Sequence, residues 1–256
     1  MPSPDDTDPA TAPRDSGTRG EMRYRRVLLK VSGEAFCKPG GFGIEGDELA
    51  VIAGEVAAAA KVGAQLGVVV GGGNIIRGAR LAKQGWIAQA TADHMGMLGT
   101  IMNAAALAQA LNRLGQPARV LSAIDVPALA QRFTRDAALH ALNAGEVVVF
   151  AGGIGNPFLT TDTTAALRAA EIDAQAVLKA TKVDGVYDKD PVKHPDARRF
   201  DRISFDEAIE RKLGVMDMAA LCLCMERSIP VVVFDMNRPG HIAAVVRGEP
   251  IGTLVR

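Results

Sequence analysis

One run of residues near the middle of the chain combines glycine, hydroxyl and carboxylate groups. It extends from Gly152 to Asp162 and follows the strand-like segment Glu146–Phe150. Glycines let a backbone approach a ligand closely, and the amides at a helix N-terminus favour phosphate groups. The same run would also serve as a Gly-Asn-Pro turn before a helix capped by Thr161 or Asp162, and this stretch alone does not decide between the two.

A second loop of similar character follows an earlier strand. The apolar run Gln65–Val70 is typical of a buried strand and continues into Gly71-Gly72-Gly73-Asn74, with Arg77 just beyond. Three successive glycines between a strand and a helix expose backbone amides to whatever lies there. The loop is neither a Walker A motif nor a protein-kinase glycine loop. Together, the two loops favour contact with phosphate.

A lysine interrupts the first apolar run of the chain. Val27–Ser32 predicts a buried parallel strand, and Lys30 lies near its end. Its ammonium group either reaches solvent past the end of the strand or is held at the carboxyl edge of the sheet. Open α/β folds bind their ligands at that edge, so the second interpretation gives a fixed positive charge beside a ligand.

Two further stretches carry polar groups whose role the residues leave open. Thr181–Pro191 follows the predicted strand Ala174–Ala180, is dense in charge, and contains Tyr187, whose ring could lie on a base. Taken alone, it also fits a solvated turn. Asp93-His94 is expected to open a long helix with an apolar face, and Asp93 would either cap that helix or accept hydrogen bonds from a ligand.

The segment Gly40–Gly46 contains a literal G-x-G-x-x-G pattern. It is a poor dinucleotide fingerprint, because it does not turn directly out of a strand and no acidic residue follows at the usual distance. We interpret it as a mobile loop. Asp47 is expected to cap the alanine-rich helix that follows, which reaches about Gly63.

These loops need a frame that brings strand ends together. Strands and helices alternate along the chain from Arg26 onwards. The alternation predicts an α/β fold, a three-layer α/β/α sandwich with a mostly parallel central sheet. The remaining strands are expected at Arg119–Ser122, Ile229–Phe234 and Gly252–Val255, and the remaining helices from Thr163, Met216 and Gly240.

Composition limits the classes of function. The chain has 256 residues, 48% of them hydrophobic, with 29 basic and 29 acidic side chains. That balance provides no overall basic field for nucleic acid or an anionic membrane, and no run approaches the length of a membrane span. The three cysteines lack zinc-site spacing, and the pair Cys222 and Cys224 is expected to fill space in a helix. A reducing cytoplasm fits this pattern.

Residues 1–22 have a different composition from the rest. They include four prolines and four aspartates and almost no large apolar side chains, which predicts a disordered tail before a single catalytic domain at 23–256. We expect that deletion of residues 1–22 leaves the thermal midpoint and the turnover number unchanged. A clear loss of activity or of assembly in the truncated protein would contradict this prediction.

Several motifs in order carry a family resemblance. They are Lys30–Glu34, Gly71–Asn74 with Arg77, Asp93–Met97, Gly155–Phe158 with Thr160–Asp162, Lys179–Gly185, and Val215–Asp217. From about Tyr24 to Leu254 this order resembles the bacterial UMP kinases of the amino-acid-kinase superfamily. The strand lysine and glycine loops fit the whole superfamily, whereas D-H-M-G-M and G-N-P-F-x-T-T-D are more specific to UMP kinases.

The resemblance implies transfer of a phosphoryl group from ATP, with Mg²⁺, to UMP, in pyrimidine nucleotide biosynthesis. It implies that the N-terminal part binds mainly UMP and the C-terminal part mainly ATP, and that phosphates rather than protein side chains hold the metal. It implies catalytic roles for Lys30, Arg77, Asp162 and Asp217. The implied ATP contacts are Lys30, Val31, Ser32, Gly33, Gly73, Arg77, Thr181, Tyr187 and Asp190. The implied UMP contacts are Gly72, Asp93, Ile154, Gly155, Asn156, Pro157, Phe158, Leu159, Thr160 and Thr161.

The resemblance further implies a homohexamer that GTP activates and UTP inhibits. The loop implicated in the GTP response corresponds to Gly41, Phe42, Gly43, Ile44, Glu45 and Gly46. The chain departs from many relatives at Ile154, Leu159 and Ala219, none of which has a charged role. A carbamate or acylglutamate kinase of the same fold, or a nucleotide-sensing regulator, remains an alternative at this point.

Overall fold

The computed structural model describes residues 23–256, apart from the side chains of residues 79 and 80. The predicted tail at residues 1–22 lies outside this range. The strands are β1 (Arg26–Val31), β2 (Gln65–Val70), β3 (Ala118–Ser122), β4 (Gln131–Arg132), β5 (Val147–Ala151), β6 (Val177–Thr181), β7 (Arg202–Ile203), β8 (Val231–Asp235) and β9 (Thr253–Val255). The helices are α1 (Gly46–Lys61), α2 (Gly78–Ala82), α3 (Gln89–Arg113), α4 (Arg135–Asn143), α5 (Thr161–Glu171), α6 (Phe205–Glu210), α7 (Met218–Glu226) and α8 (His241–Arg247).

All of these strands belong to one sheet in the order β4-β3-β5-β2-β1-β6-β8-β9-β7. Neighbouring strands are parallel except for β8 and β9, which pair antiparallel. The central strands are buried on both faces, which explains why β2 and β5 read as continuous apolar runs without alternation. The mostly parallel sheet is therefore confirmed.

Helices cover both faces of the sheet. One hydrophobic core lies between the sheet and α1, α3 and α8, and a second lies between the sheet and α4, α5 and α7. The alanines of α1 and α5 are among the buried residues, and small side chains let a helix approach a sheet closely. The three-layer α/β/α architecture is confirmed.

The strand order brings four predicted loops to one edge. Strand β1 lies between β2 and β6, and β5 lies on the other side of β2. Since these four strands are parallel, the turns after Val31, Val70, Ala151 and Thr181 follow the same edge of the sheet. The alternation of strands and helices along the chain thus positions every loop that carries candidate chemistry.

Three predicted helix starts were wrong. Helix α1 begins at Gly46 with Glu45 as its N-cap, so Asp47 lies in the first turn and does not cap it. Helix α3 begins at Gln89, four residues before Asp93, and α5 is capped by Thr160, whose hydroxyl accepts from the amide of Asp162 at 2.9 Å. In each case a polar residue in the first or second turn of the helix was taken for the N-cap. Polar residues are common both at the N-cap and in the first turns, so the sequence does not separate the two positions.

Within residues 23–256, no helix combines the length and the apolar character needed to cross a membrane.

Candidate active site

Two lysines and one aspartate form a compact charged cluster at the carboxyl edge of the sheet. Lys30 of β1 and Lys179 of β6 are partners in the strand register. Lys30 Nζ lies 2.8 Å from Oδ1 of Asp162, and Lys179 Nζ lies 2.8 Å from Oδ2 of the same carboxylate. Lys179 also donates to the carbonyl of Val215 at 2.5 Å. The structure thus brings Lys30 and Asp162 together as predicted and adds Lys179.

The electrostatics of the cluster follow from its burial. Each of the three side chains is at most 14% exposed. Burial alone would raise the pKa of Asp162, but the charges of Lys30 and Lys179 outweigh it and hold that pKa below its usual value. Burial lowers the pKa of Lys179, opposed by the charge of Asp162. Lys30 contacts Oδ1 of Asp162 at 2.8 Å, whereas Lys179 contacts both Oδ2 and the carbonyl of Val215.

The turns after β1 and β2 pack backbone against backbone. A Cβ atom added at Gly33 would lie 2.6 Å from Oδ1 of Asn74 and 2.8 Å from the carbonyl of Gly71. A Cβ atom at Gly72 would lie 2.6 Å from the carbonyl of Gly96 in α3. Only glycine fits at these two positions, because real Cβ atoms do not approach other atoms so closely.

A cavity of about 220 Å³ lies between α3, the Gly71–Gly73 turn and the loop after β5. Six of the predicted UMP contacts line it: Gly72, Asp93, Ile154, Leu159, Thr160 and Thr161. Gly73, predicted to contact ATP, lines the same cavity. The structure therefore gathers residues that are up to 89 positions apart, from Gly72 to Thr161, into one site.

The predicted contacts Gly155, Asn156 and Pro157 do not line this cavity, nor does Phe158, which is exposed and has a positive φ of 70°. The amide of Phe158 donates to Oδ2 of Asp93 at 2.9 Å. Asp93 therefore fastens the loop to α3 instead of capping a helix. The other carboxylate oxygen of Asp93, Oδ1, accepts from the side chain of Gln89 at 2.7 Å. Asp93 also lines the cavity.

A larger cavity of about 470 Å³ lies on the α1 side of the same edge. Three of the predicted ATP contacts, Lys30, Ser32 and Thr181, line it together with Lys179 and Lys182. Apolar side chains of α1 and of the loop after β8, including Ile52, Met236 and Pro239, form the other walls. The cavity combines amines at one end with apolar surface at the other.

A carboxylate connects two cations between the cavities. Glu34 accepts from Arg77 at 2.6 Å and from Lys182 at 2.9 Å. The hydrogen bond from Lys182, with the charges of Lys182 and Arg77, holds the pKa of Glu34 below its usual value. Arg77 thus lies beside the turn after β1 as predicted, with Glu34 where an anionic ligand would compete for it.

Asp217 connects two helices on the opposite face. Its Oδ1 accepts from the amide of Ala220 at 2.8 Å and caps α7, while its Oδ2 accepts from the hydroxyls of Thr160 and Thr163. The same carboxylate therefore holds the start of α7 and the start of α5 together. It contacts the loop that carries Thr160 and not Lys30.

Tyr187 and Asp190 lie in the loop after β6, outside both cavities. The Tyr187 hydroxyl donates to Asp184 at 2.6 Å, and Oδ1 of Asp190 accepts from the amide of Val192 at 3.0 Å. Val31 is buried within β1. The structure does not bring these three predicted ATP contacts to the larger cavity.

The region from residue 25 to residue 235 matches the model of the amino acid kinase family. The chain belongs to that family. This amino acid kinase is 52% identical over 235 residues to a protein of Ectopseudomonas mendocina named uridylate kinase, covering 92% of this chain and 95% of that one. It is 50% identical to the uridylate kinase of Pseudomonas aeruginosa, with 92% and 96% of the two chains covered.

Solved structures agree with these relatives. The crystal structure of UMP kinase from Bacillus anthracis superposes on this amino acid kinase with a TM-score of 0.88 at 36% identity, covering 91% of this chain and 96% of that one. UMP kinase from Ureaplasma parvum gives a TM-score of 0.85 at 36% identity, with 91% and 99% covered. Both similarities extend over the sheet and over both helical layers described above.

The geometry suits chemistry by charge neutralisation. Lys30 and Lys179 share the carboxylate of Asp162, and Arg77 and Lys182 share that of Glu34, so four cations lie in two groups at this edge of the sheet. Such an arrangement stabilises negative charge that moves between two phosphates.

Cys224 lies buried beneath this site, and burial, with the charges of Asp162 and Asp217, raises the pKa of its thiol to about 12. Cys224 fills space within the core, as predicted, whereas Cys222 is only partly buried.

Several residues of this amino acid kinase site were missed at the sequence level. Lys179 interrupts an apolar strand just as Lys30 does, so the same signal was present in the sequence. Asn103 and Thr100 are buried polar residues within an otherwise apolar helical stretch, which is a weaker signal of the same kind. Glu34 lies three positions beyond the end of β1, and it belonged to the Lys30–Glu34 motif but was given no role.

Proposed function

We propose that the protein is a UMP kinase, which transfers the γ-phosphoryl group of ATP to UMP and yields ADP and UDP. The observation that carries the proposal is the position of Asp162 between the two cavities. Asp162 directly follows Thr160 and Thr161, which line the smaller cavity, and it contacts Lys30, which lines the larger one. A charged group in that place serves both nucleotides, and relatives named uridylate kinase support the choice of acceptor.

In the proposed reaction an oxygen of the UMP phosphate forms a bond to the γ-phosphorus of ATP. The bond from that phosphorus to the bridging oxygen breaks, and its electron pair remains on ADP. The attacking oxygen is already ionised, so no general base is needed. Lys30 then has the role of neutralising charge on the transferring group, and Asp162 and Lys179 fix its position.

The proposal assigns the smaller cavity to UMP and the larger one to the phosphates of ATP. Thr161 and the backbone of Gly153, which line the cavity, offer donors to the acceptor phosphate, and Asp93 lies where it could accept from ribose hydroxyls. Lys182 and Arg77, which contact Glu34 in the structure, would leave that carboxylate and bind the ATP phosphates, because a polyphosphate carries more negative charge than one carboxylate.

Mg²⁺ would enter with ATP and neutralise charge between the β- and γ-phosphates. Both oxygens of Asp162 already face lysine ammonium groups, which leaves the phosphates as the main ligands of the metal.

A coupled assay of ADP release over UMP, CMP, dUMP, acetylglutamate and carbamate tests the function. We expect the highest kcat/KM with UMP. Turnover of acetylglutamate or carbamate in preference to UMP would replace the assignment with another kinase of the same fold. Binding of nucleotides without any turnover would favour a regulator.

We also propose that the protein is a cytoplasmic homohexamer. Leu98 and Met102, on the side of α3 away from the sheet, are 51% and 49% exposed, which is costly for large apolar groups unless a partner covers them. Sedimentation would give the mass, and a stable monomer at micromolar concentration would contradict this assembly.

Regulation by GTP and UTP is proposed through the loop at Gly40–Gly46. Phe42 is 76% exposed, and Gly43 has a φ of +83°. The Gly43 backbone is bound at both ends to Asn74, through its amide at 2.9 Å and its carbonyl at 2.7 Å. A change in this loop would therefore reach the phosphate-binding turn after β2 through Asn74.

We expect GTP to lower the apparent KM or to raise turnover, and UTP to oppose it. Phe42→Ala combined with Gly43→Pro should weaken the GTP effect more than basal activity, because proline removes the Gly43 amide and cannot adopt a positive φ. Initial rates with and without GTP measure this. A double variant that responds fully to GTP would remove the regulatory role of the loop and leave the kinase assignment unaffected.

A further inference from the structure

Helix α3 carries two buried polar side chains that face the site. Thr100 is 4% exposed and Asn103 is fully buried. They are three positions apart and so lie on the same side of the helix. Leu107 and Leu111, further along the same helix, are buried apolar residues, so packing alone does not require a polar group here. Buried polar groups are costly unless they are bonded, which directs attention to their partners.

Asn103 is bonded to the turn after β2. Its amide nitrogen donates to the carbonyl of Gly71 at 2.7 Å and to Oδ1 of Asn74 at 2.7 Å. Asn74, itself buried, donates back to Oδ1 of Asn103 at 3.1 Å and also to the carbonyl of Gly43. Oδ1 of Asn74 is the atom that a Cβ at Gly33 would strike first. The pair Asn103–Asn74 therefore holds the turn after β2 to α3 and to Gly43, and Gly33 of the turn after β1 packs against it.

Thr100 is bonded to the turn after β5. Its hydroxyl accepts from the amide of Gly152 at 2.9 Å and donates to the carbonyl of Met97 in its own helix at 2.6 Å. Gly152 opens the loop that reaches Thr160, and Thr100 itself lines the smaller cavity. Thr100 therefore holds the acceptor loop to α3, one helical turn from the point at which Asn103 holds the Gly71–Gly73 turn.

We propose that Thr100 and Asn103 are positioning residues: Thr100 fixes the acceptor loop to α3, and Asn103, through Asn74, fixes the surface on which the turn after β1 packs, whose Ser32 lines the cavity assigned to the ATP phosphates. Both loops are fixed to a single rigid helix, and Gly72 packs directly on the backbone of α3 at Gly96, Gly99 and Thr100. Transfer between two bound phosphates depends steeply on their separation, so a helix that fixes both loops contributes to the rate through its hold on them. This inference rests on the proposed kinase function.

The kinetic test uses Thr100→Val and Asn103→Leu in the full chain. Each removes buried hydrogen bonds while nearly keeping the volume of the side chain. We expect Thr100→Val to raise KM for UMP by about fivefold or more and to leave KM for ATP within about twofold. Asn103→Leu should show the opposite preference, because its partners lie beside Gly33, and both variants should lower kcat. Thr100→Ser keeps the hydroxyl and should restore wild-type values.

Asn112→Leu is the matched control. Asn112 lies on the same helix and is bonded to Ala118 through its Oδ1 and Nδ2, both at 3.0 Å, at the far end of the sheet. We expect Asn112→Leu to lower the thermal midpoint but not to change KM for UMP and KM for ATP by different factors. If Asn103→Leu does not fold, Asn103→Ser offers a smaller polar side chain for the same measurement. Equal changes in both KM values for Thr100→Val and Asn103→Leu would overturn the proposal.

Amide hydrogen exchange without nucleotides tests the inference independently of the reaction. Thr100→Val should speed exchange at the Gly152 amide, and Asn103→Leu should speed exchange across the Gly71–Asn74 turn, each leaving the other loop protected. Unchanged protection of both loops would overturn the positioning role even in an active kinase. If the wild-type protein does not turn over UMP but the two variants show these changes in exchange, the result contradicts the proposed function and leaves the positioning role intact.

Discussion

Replacing Lys30 by alanine is expected to lower kcat by more than about 100-fold while changing UMP binding little, because a lost charge contact in a transition state typically has that effect. Lys30 Nζ lies at the end of β1 beside Asp162 and lines the cavity assigned to the ATP phosphates. Steady-state kinetics with varied UMP and ATP measure the change. The loss should fall on kcat, since the charge it neutralises develops only as the phosphoryl group moves.

Lys179→Met is the matched comparison for this prediction. Lys179 is the register partner of Lys30, lies at the same distance from the same carboxylate, and has the same exposure to within one per cent. It differs in that its ammonium also donates to the carbonyl of Val215. We therefore expect Lys179→Met to lower kcat less than Lys30→Met. Retention of more than about a tenth of the activity after Lys30→Ala would remove the proposed role of Lys30.

The contrast between these two lysines shows what the sequence could predict. A lysine inside an apolar strand is a strong signal, because burial of an amine needs a partner, and Lys30 was identified in this way. Lys179 carries the same signal. It lies just before the segment Thr181–Pro191, which is rich in charged residues, and was therefore not singled out as a buried lysine. The loops themselves were predictable, since each follows a strand and strand ends meet at one edge.

Contacts between distant segments were not predictable. Asp162 was given a catalytic role by resemblance, but its contacts with Lys30 of β1 and Lys179 of β6 depend on the strand order. Asp217 was given a catalytic role in the same way, which stays a prediction, and in the structure it caps α7 and accepts from Thr160. The reason is geometric: a side chain at a helix start can satisfy the helix or face a ligand, and sequence alone does not fix which.

The exchange of Asp162 for asparagine is expected to have the second largest effect, on both rate and stability. Two ammonium groups from adjacent strands would then lie buried without a counter-charge. Breaking a buried charge pair by removing one partner typically costs about 3–5 kcal/mol. The rate should fall with stability, because Lys30 would no longer be held toward the phosphates, and we expect a loss of kcat of about 100-fold or more.

The depressed pKa of Asp162 gives this prediction a dependence on pH. A carboxylate whose pKa is lower in the folded state stabilises the protein above its unfolded pKa, and this contribution is lost as the pH falls through the folded value. Wild-type protein should therefore lose stability toward acid, below the usual range of an aspartate, more steeply than Asp162→Asn. Thermal midpoints measured from neutral to acid pH should converge for the two proteins at low pH.

The double variant Asp162→Asn with Lys179→Met separates the two effects. It removes one positive charge together with the negative one, so a single ammonium group remains in the cluster and part of the lost stability should return. The rate should not return with it, because Lys30 still lacks the carboxylate that holds it. Recovery of kcat in the double variant would mean that Asp162 acts only by balancing charge, and a single Asp162→Asn variant with wild-type stability and rate would exclude both roles.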